Sequence, residues 1–181
     1  MKKLSLFAIS LLLGCSLLAQ TPPPSATDVL ADACRLATKE NKKVMIIFHA
    51  SWCVWCHRMD SSMNDPVCKK LFDDRFVVRH LVVDESDNKK QLETPGGKEM
   101  MEKYNGKDVG IPYWLIFGSD GQLLTDSRIR KPGQGPEEGS ICGCPATADE
   151  VAFFTGVLKK YTDLTDDQLK VIAKRFRENE K

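Results

Sequence analysis

Between residues 28 and 177 the chain alternates short unbroken apolar runs with stretches in which apolar positions recur every three or four residues. Val44-Met45-Ile46-Ile47-Phe48 is continuous and rich in β-branched side chains, which suits a central strand covered on both faces. Phe76 to Val83 reads as the next strand, ending at Asp84, and Tyr113 to Phe117 with Gln122 to Ile129 flank Ser119-Asp120-Gly121 as a hairpin. Helical spacing runs between them. From Thr27, Leu30, Ala33, Cys34 and Ala37 share one face, so Cys34 reads as a packed, inert thiol. Asp65-Pro66 supplies an N-cap and first-turn proline for a helix through Phe72, with Cys68 in the same core role and a Cys34–Cys68 bridge as the minor alternative. A further helix around 98–104 ends at Asn105-Gly106. Thr147 with Glu150 forms a capping box, and Thr165 with Gln168 opens a last helix with Leu169, Ile172, Ala173 and Phe176 on one face.

The amino terminus has a different pattern. Met1-Lys2-Lys3 followed by Leu4 to Leu13 is a charged segment and a short apolar one, so residues 1–20 read as an export signal. Leu12-Leu13-Gly14-Cys15 resembles a lipoprotein cleavage box, which makes Cys15 a lipidation candidate, while Leu18-Ala19-Gln20 suits ordinary cleavage. Residues 21–27 are a proline-rich tether, and 28–181 are the folded domain. The expected location is the periplasm, free or held to the membrane by a lipid anchor. Loss of Lys2 and Lys3 takes the basic residues from 26 to 24 against 25 acidic ones, a balance that points to no nucleic-acid partner.

The chemistry concentrates at Trp52-Cys53-Val54-Trp55-Cys56-His57, where the first strand runs into a helix. Free backbone N–H groups and the helix dipole favour a thiolate at Cys53, the nucleophile, and Cys56 is within reach to resolve a mixed disulfide. His57 lies four residues after Cys53, on the same helical face. Two readings stand for it: an imidazolium that favours the Cys53 thiolate, or a solvated surface residue. Cys-x-x-Cys-His is also the c-type haem attachment pattern, but a strand entering the motif argues for the dithiol.

With Ile111-Pro112 some fifty residues later, ahead of another apolar run, this motif resembles the thioredoxin family over residues 28–161. The resemblance implies an α/β, thioredoxin-like fold, a central mixed sheet flanked by helices, here with an extra C-terminal helix. It implies that Pro112 is cis beside the dithiol and that the backbone of Ile111 pairs with an extended substrate peptide, with Trp52 at the same substrate-binding face. Thioredoxins proper carry Gly-Pro between the cysteines and a carboxylate six residues before the first; this chain has Val54-Trp55 and Ile47. Potentials in such dithiols span roughly −270 to −120 mV, so the motif leaves the direction of electron flow open. His80 takes the place of a lysine that approaches the missing carboxylate, and reads either as a proton acceptor for Cys56 or as a structural strand residue.

In such a topology the loop 131–145 comes near Cys53, with Cys142-Gly143-Cys144 at its end. Four readings stand for that pair: a second redox couple, a substrate-gating disulfide, half of a four-thiolate metal site, or a loop cross-link without redox role. The leading expectation is an extracytoplasmic thiol-disulfide oxidoreductase acting on protein thiols and disulfides, exchanging electrons with a redox partner and needing no cofactor or metal. The alternative is a metal-binding or non-catalytic binding protein on the same fold.

Overall fold

The apolar run becomes an inner strand. β1 (Lys43–His49) is buried at five consecutive positions and lies between β2 (Phe76–Val82) and β3 (Tyr113–Phe117), with β4 (Leu123–Asp126) beyond β3. It runs parallel to β2 and antiparallel to β3, so the sheet is mixed, as the resemblance implies. The computed structural model describes residues 23–181; the expected export signal and its Cys15 lie outside the described residues. Among the described residues no helix is long and apolar enough to cross a membrane.

The two-residue strand period sends Val44, Ile46 and Phe48 to one face, under α1 (Ala26–Glu40) and α4 (Gly97–Lys103). Met45 and Ile47 go to the other face, under α2 (Val54–Met63), α3 (Lys69–Asp73), α5 (Ala148–Tyr161) and α6 (Asp166–Arg177). Phe154 of α5 sits within ring-packing distance of Phe72, Trp114 and Phe176, with centroids 6.3, 5.5 and 5.1 Å away. The capping boxes expected at Thr147 and Thr165 are both formed.

Three boundaries differ from expectation, and one alternative is settled. α1 starts at Ala26 with Ser25 as its cap, and the Ala26 N–H donates to the Pro95 carbonyl at 2.8 Å, so residues 25–27 are tied into the domain instead of the tether. The helix expected from Pro66 begins only at Lys69, after a turn in which the Val67 N–H donates to the Asp65 carboxylate. The strand expected to reach Ile129 stops at Asp126. That buried carboxylate accepts the Arg128 N–H at 3.0 Å and two Arg130 N–H groups at 2.7 and 2.6 Å, which bends the chain at Ser127. β5 (Arg128–Ile129) therefore leaves the main sheet and pairs with β6 (Ser140–Ile141), whose end delivers Cys142-Gly143-Cys144. Lastly, Cys34 packs on the α1 face and Cys68 on the opposite one, both as free thiols, so the sheet separates them and no bridge forms. Burial pushes the Cys68 thiol up to about 11.

The aromatic group around Phe154 holds the two C-terminal helices to the sheet. Phe154→Ala should cost about 3–5 kcal/mol in urea unfolding, in line with emptying a fully buried aromatic site. A loss under about 1 kcal/mol would mean that α5 is not anchored there.

Candidate active site

The turn Ala50-Ser51-Trp52 joins β1 to α2, and residues just beyond β2 hold it. Parallel pairing of His49 with Val82 brings Asp84 and Glu85 beside this turn. Glu85 is buried and accepts the Ser51 N–H at 2.6 Å and the Ser51 hydroxyl at 2.9 Å. The Ser51 N–H and hydroxyl hold the Glu85 carboxyl below its usual range against the opposing cost of desolvation. Trp52 donates its Nε1–H to the Asp84 carbonyl at 2.9 Å. A turn gripped on both residues fixes where α2 starts.

Cys53 is the N-cap of α2, its sulfur accepting the Cys56 N–H at 3.1 Å, and the two cysteines are joined as a disulfide. In this oxidised form both cysteines are buried, Cys53 at 3% exposure and Cys56 at 1%. Ala50 and Ile111 cover them, and the Ile111 carbonyl oxygen lies 3.6 Å from Cys53 Sγ. What sets Cys53 apart is its place at the helix N-terminus. The Ile111–Pro112 bond is cis. Trp52, Val54 and Trp55 stand exposed around the disulfide as an apolar rim, and the Arg58 guanidinium lies 4.7 Å over the Trp55 ring.

Neither His57 nor His80 hydrogen-bonds to the dithiol. His57 turns back over the turn, its Nε2–H donating to the Ser51 carbonyl at 3.0 Å, so its ring contact is with the backbone before Cys53. His80 pairs in register with Ile47, as anticipated, but its Nε2 goes to Asp60 at 2.8 Å and not to Cys56. Its ring also packs on His49, with centroids 4.9 Å apart. His49 and Asp60 were not singled out in the sequence; the signal for His49 was a polar ring ending an apolar strand four residues before Cys53. Burial lowers the His49 pKa, His80 and His57 lower it further, and Asp60 and Glu85 oppose them.

Residues 25–119 match the family model described as thioredoxin-like. The chain belongs to the thioredoxin-like family. It is 29% identical over 96 residues to the thiol:disulfide interchange protein DsbD of Actinobacillus pleuropneumoniae serotype 5b (strain L20), a match covering 52% of this chain and 15% of that protein. Among solved structures, a disulphide isomerase from Xylella fastidiosa Temecula1 is similar at 18% identity and TM-score 0.48, covering 86% of this chain and 92% of that one. A thioredoxin from Thermus thermophilus is similar at 22% identity and TM-score 0.43, covering 77% of this chain and 87% of that one. The molecule thus has a thiol-disulfide oxidoreductase type of fold with a Cys53–Cys56 disulfide.

Beside this thioredoxin-like centre lies a cleft of about 420 Å³ whose lining includes Trp55, Ile111, Pro112, Cys142, Gly143 and Cys144. Cys142 and Cys144 are free, buried thiols, and burial pushes both up, Cys144 to about 12. The four-thiolate arrangement is not formed: among the described residues no three or more metal-ligating side chains converge.

The half-buried His49 makes a pH dependence. Its folded pKa lies below 6.5, so on acidification the unfolded chain takes up a proton that the folded chain resists. The stability from this group is complete above that value and is lost as pH falls toward the folded pKa. Urea unfolding should therefore show weaker stability at about pH 5 than at about pH 7. His49→Phe should flatten that difference; an unaltered slope would assign it to other groups.

Proposed function

We propose that the chain is an extracytoplasmic thiol-disulfide oxidoreductase acting on protein substrates through Cys53 and Cys56. The observation that carries this reading is the disulfide at the N-terminus of α2, faced by the carbonyl of Ile111, the residue that precedes cis Pro112. In the reducing direction the Cys53 thiolate attacks one sulfur of a substrate disulfide, forming a mixed disulfide and expelling a substrate thiolate. Cys56 then attacks Cys53 Sγ, which releases the second substrate thiol and closes Cys53–Cys56. The oxidising direction is the reverse. The helix N-terminus stabilises the Cys53 thiolate in either case.

Ile111 offers its backbone to an extended substrate strand, Pro112 shapes the groove, and Trp52 and Trp55 supply apolar contact area at its rim. The name of the relative from Actinobacillus, a thiol:disulfide interchange protein, supports thiol-disulfide exchange as the reaction, and the electron partner is a further part of this proposal. Export rests on the charged and apolar segments of residues 1–20, and a lipid anchor at Cys15 on the adjoining cleavage-box pattern. The dithiol chemistry itself calls for no cofactor, metal or nucleic acid.

Reduction of insulin disulfides tests the activity. Wild-type protein should catalyse it, Cys53→Ser should abolish it, and Cys56→Ser should accumulate the mixed disulfide; full activity in Cys53→Ser would reject the assignment. Alkylation of the reduced protein at mildly acidic pH should label Cys53 before Cys56. Trp55→Ala should lower kcat/KM for insulin roughly three- to tenfold, the loss expected for one aromatic contact. The rate with a small disulfide should change little, and an equal loss for both substrates would remove Trp55 from the binding face.

A further inference from the structure

Two thiols outside this chemistry line the cleft that Trp55, Ile111 and Pro112 also line. Cys142 and Cys144 are separated by one residue, Gly143, which takes the left-handed φ of +56° that favours glycine. The turn is pinned three ways: the Cys142 N–H donates to the Ser127 carbonyl at 2.8 Å, Trp114 Nε1–H to the Gly143 carbonyl at 2.9 Å, and Asn179 Nδ2–H to Cys144 Sγ at 3.4 Å. It is laid against Pro112, whose carbonyl is 3.5 Å from where a Gly143 Cβ would stand. The neighbouring Ile111 carbonyl is 3.6 Å from Cys53 Sγ, so one residue separates the turn from the residue that touches the disulfide. On its other side Cys144 feels the charges of Arg58 and Asp60, which lie on the helix that carries Cys56. The same cleft separates this turn from Trp55, which lies between Cys53 and Cys56 in the chain.

We propose that Cys142 and Cys144 are a second dithiol/disulfide couple that passes two electrons to the Cys53–Cys56 disulfide. This rests on the reading of Cys53–Cys56 as a redox pair. Cys144 loses its proton to solvent in the cleft, and its thiolate attacks Cys53 Sγ. The Cys53–Cys56 bond breaks, and Cys56 leaves as a thiolate that takes up a proton. Cys142, deprotonated in turn, attacks Cys144 Sγ, closing Cys142–Cys144 and releasing Cys53. One disulfide forms and one breaks, with two electrons and two protons gained by Cys53 and Cys56. An external dithiol then reduces Cys142–Cys144. The direction follows from the surroundings of each pair: a helix N-terminus stabilises the reduced form at Cys53, whereas neither Cys142 nor Cys144 caps a helix. The structure holds the state before the exchange, Cys53–Cys56 closed and Cys142 and Cys144 both thiols.

The test uses the full chain, reduced with dithiothreitol, desalted, and given one molar equivalent of oxidised glutathione. After equilibration, acid quenching, alkylation in denaturant and trypsin digestion, residues 131–159 form one fragment holding both Cys142 and Cys144. The disulfide should sit in that fragment at least about tenfold more often than at Cys53–Cys56, a difference of about 30 mV. In Cys53→Ala/Cys56→Ala the fragment should oxidise more than about tenfold slower, because the route through Cys53 is gone. The proposal is overturned if Cys142 and Cys144 are both alkylated while Cys53–Cys56 is closed. Cys142→Ala/Cys144→Ala separates the two readings. If that variant keeps a two-electron Cys53–Cys56 transition and insulin reduction while the wild-type fragment stays a dithiol, only the second couple fails. If the transition is missing there, the reading of Cys53–Cys56 fails and takes this proposal with it.

Discussion

Everything in this molecule hangs from the parallel pairing of β1 with β2. The seven-residue register from Lys43↔Phe76 to His49↔Val82 makes β1 an inner strand and also determines what stands at its carboxyl end. There the chain leaving β2 puts Asp84 and Glu85 against Trp52 and Ser51, and that grip decides where the next helix begins. A one-residue slip would turn Met45, Ile47 and His49 to the other face and move both acceptors off the turn. The chemical consequence is direct: Cys53 becomes an N-cap because its preceding turn has nowhere else to go.

The second layer of organisation is the exit from β4. A buried Asp126, met by Arg130 through two N–H bonds and by the Arg128 N–H, stops the strand and sends the chain into a separate two-stranded ribbon. Removing one partner from such a buried pair leaves an uncompensated charge, so the bend is strongly held. The ribbon returns the chain to the cis Pro112 and lays Cys142-Gly143-Cys144 along the cleft. The C-terminal extension adds a clamp. Asn179 is buried, accepts the Ser62 hydroxyl at 3.1 Å and the Arg58 guanidinium at 2.7 Å, and donates to Cys144 Sγ and the Pro145 carbonyl. One residue thereby ties the helix of the dithiol to the turn that faces it.

Much of this was legible in the sequence because it is local. An unbroken apolar run, a Cys-x-x-Cys at a strand-to-helix junction, two capping boxes and an Ile-Pro before a strand each carry their meaning within a few residues, and each is found where expected. The thioredoxin-like fold and the pairing of Cys53 with Cys56 follow from such signals. What the sequence left open depended on partners distant in the chain. His80 pairs in register with Ile47, yet its ring goes to Asp60, twenty residues earlier, and to His49. Cys34 and Cys68 both lie on packed helical positions, and only the sheet between them shows that they cannot meet.

By itself, then, the sequence determined the elements and the reactive motif, since helix caps, turn residues and the periods of strand and helix act over three or four positions. The tertiary structure alone decided which groups surround that motif: Glu85 under the turn, His49 and Asp60 around His80, Asn179 beneath the Cys142–Cys144 turn. Those contacts join residues as far as 121 positions apart, and the Arg58–Asn179 bond is one of them. The physical reason is that a side chain's burial, hydrogen-bond partner and local charge are properties of packed neighbours, which come from separate segments only once the sheet has closed.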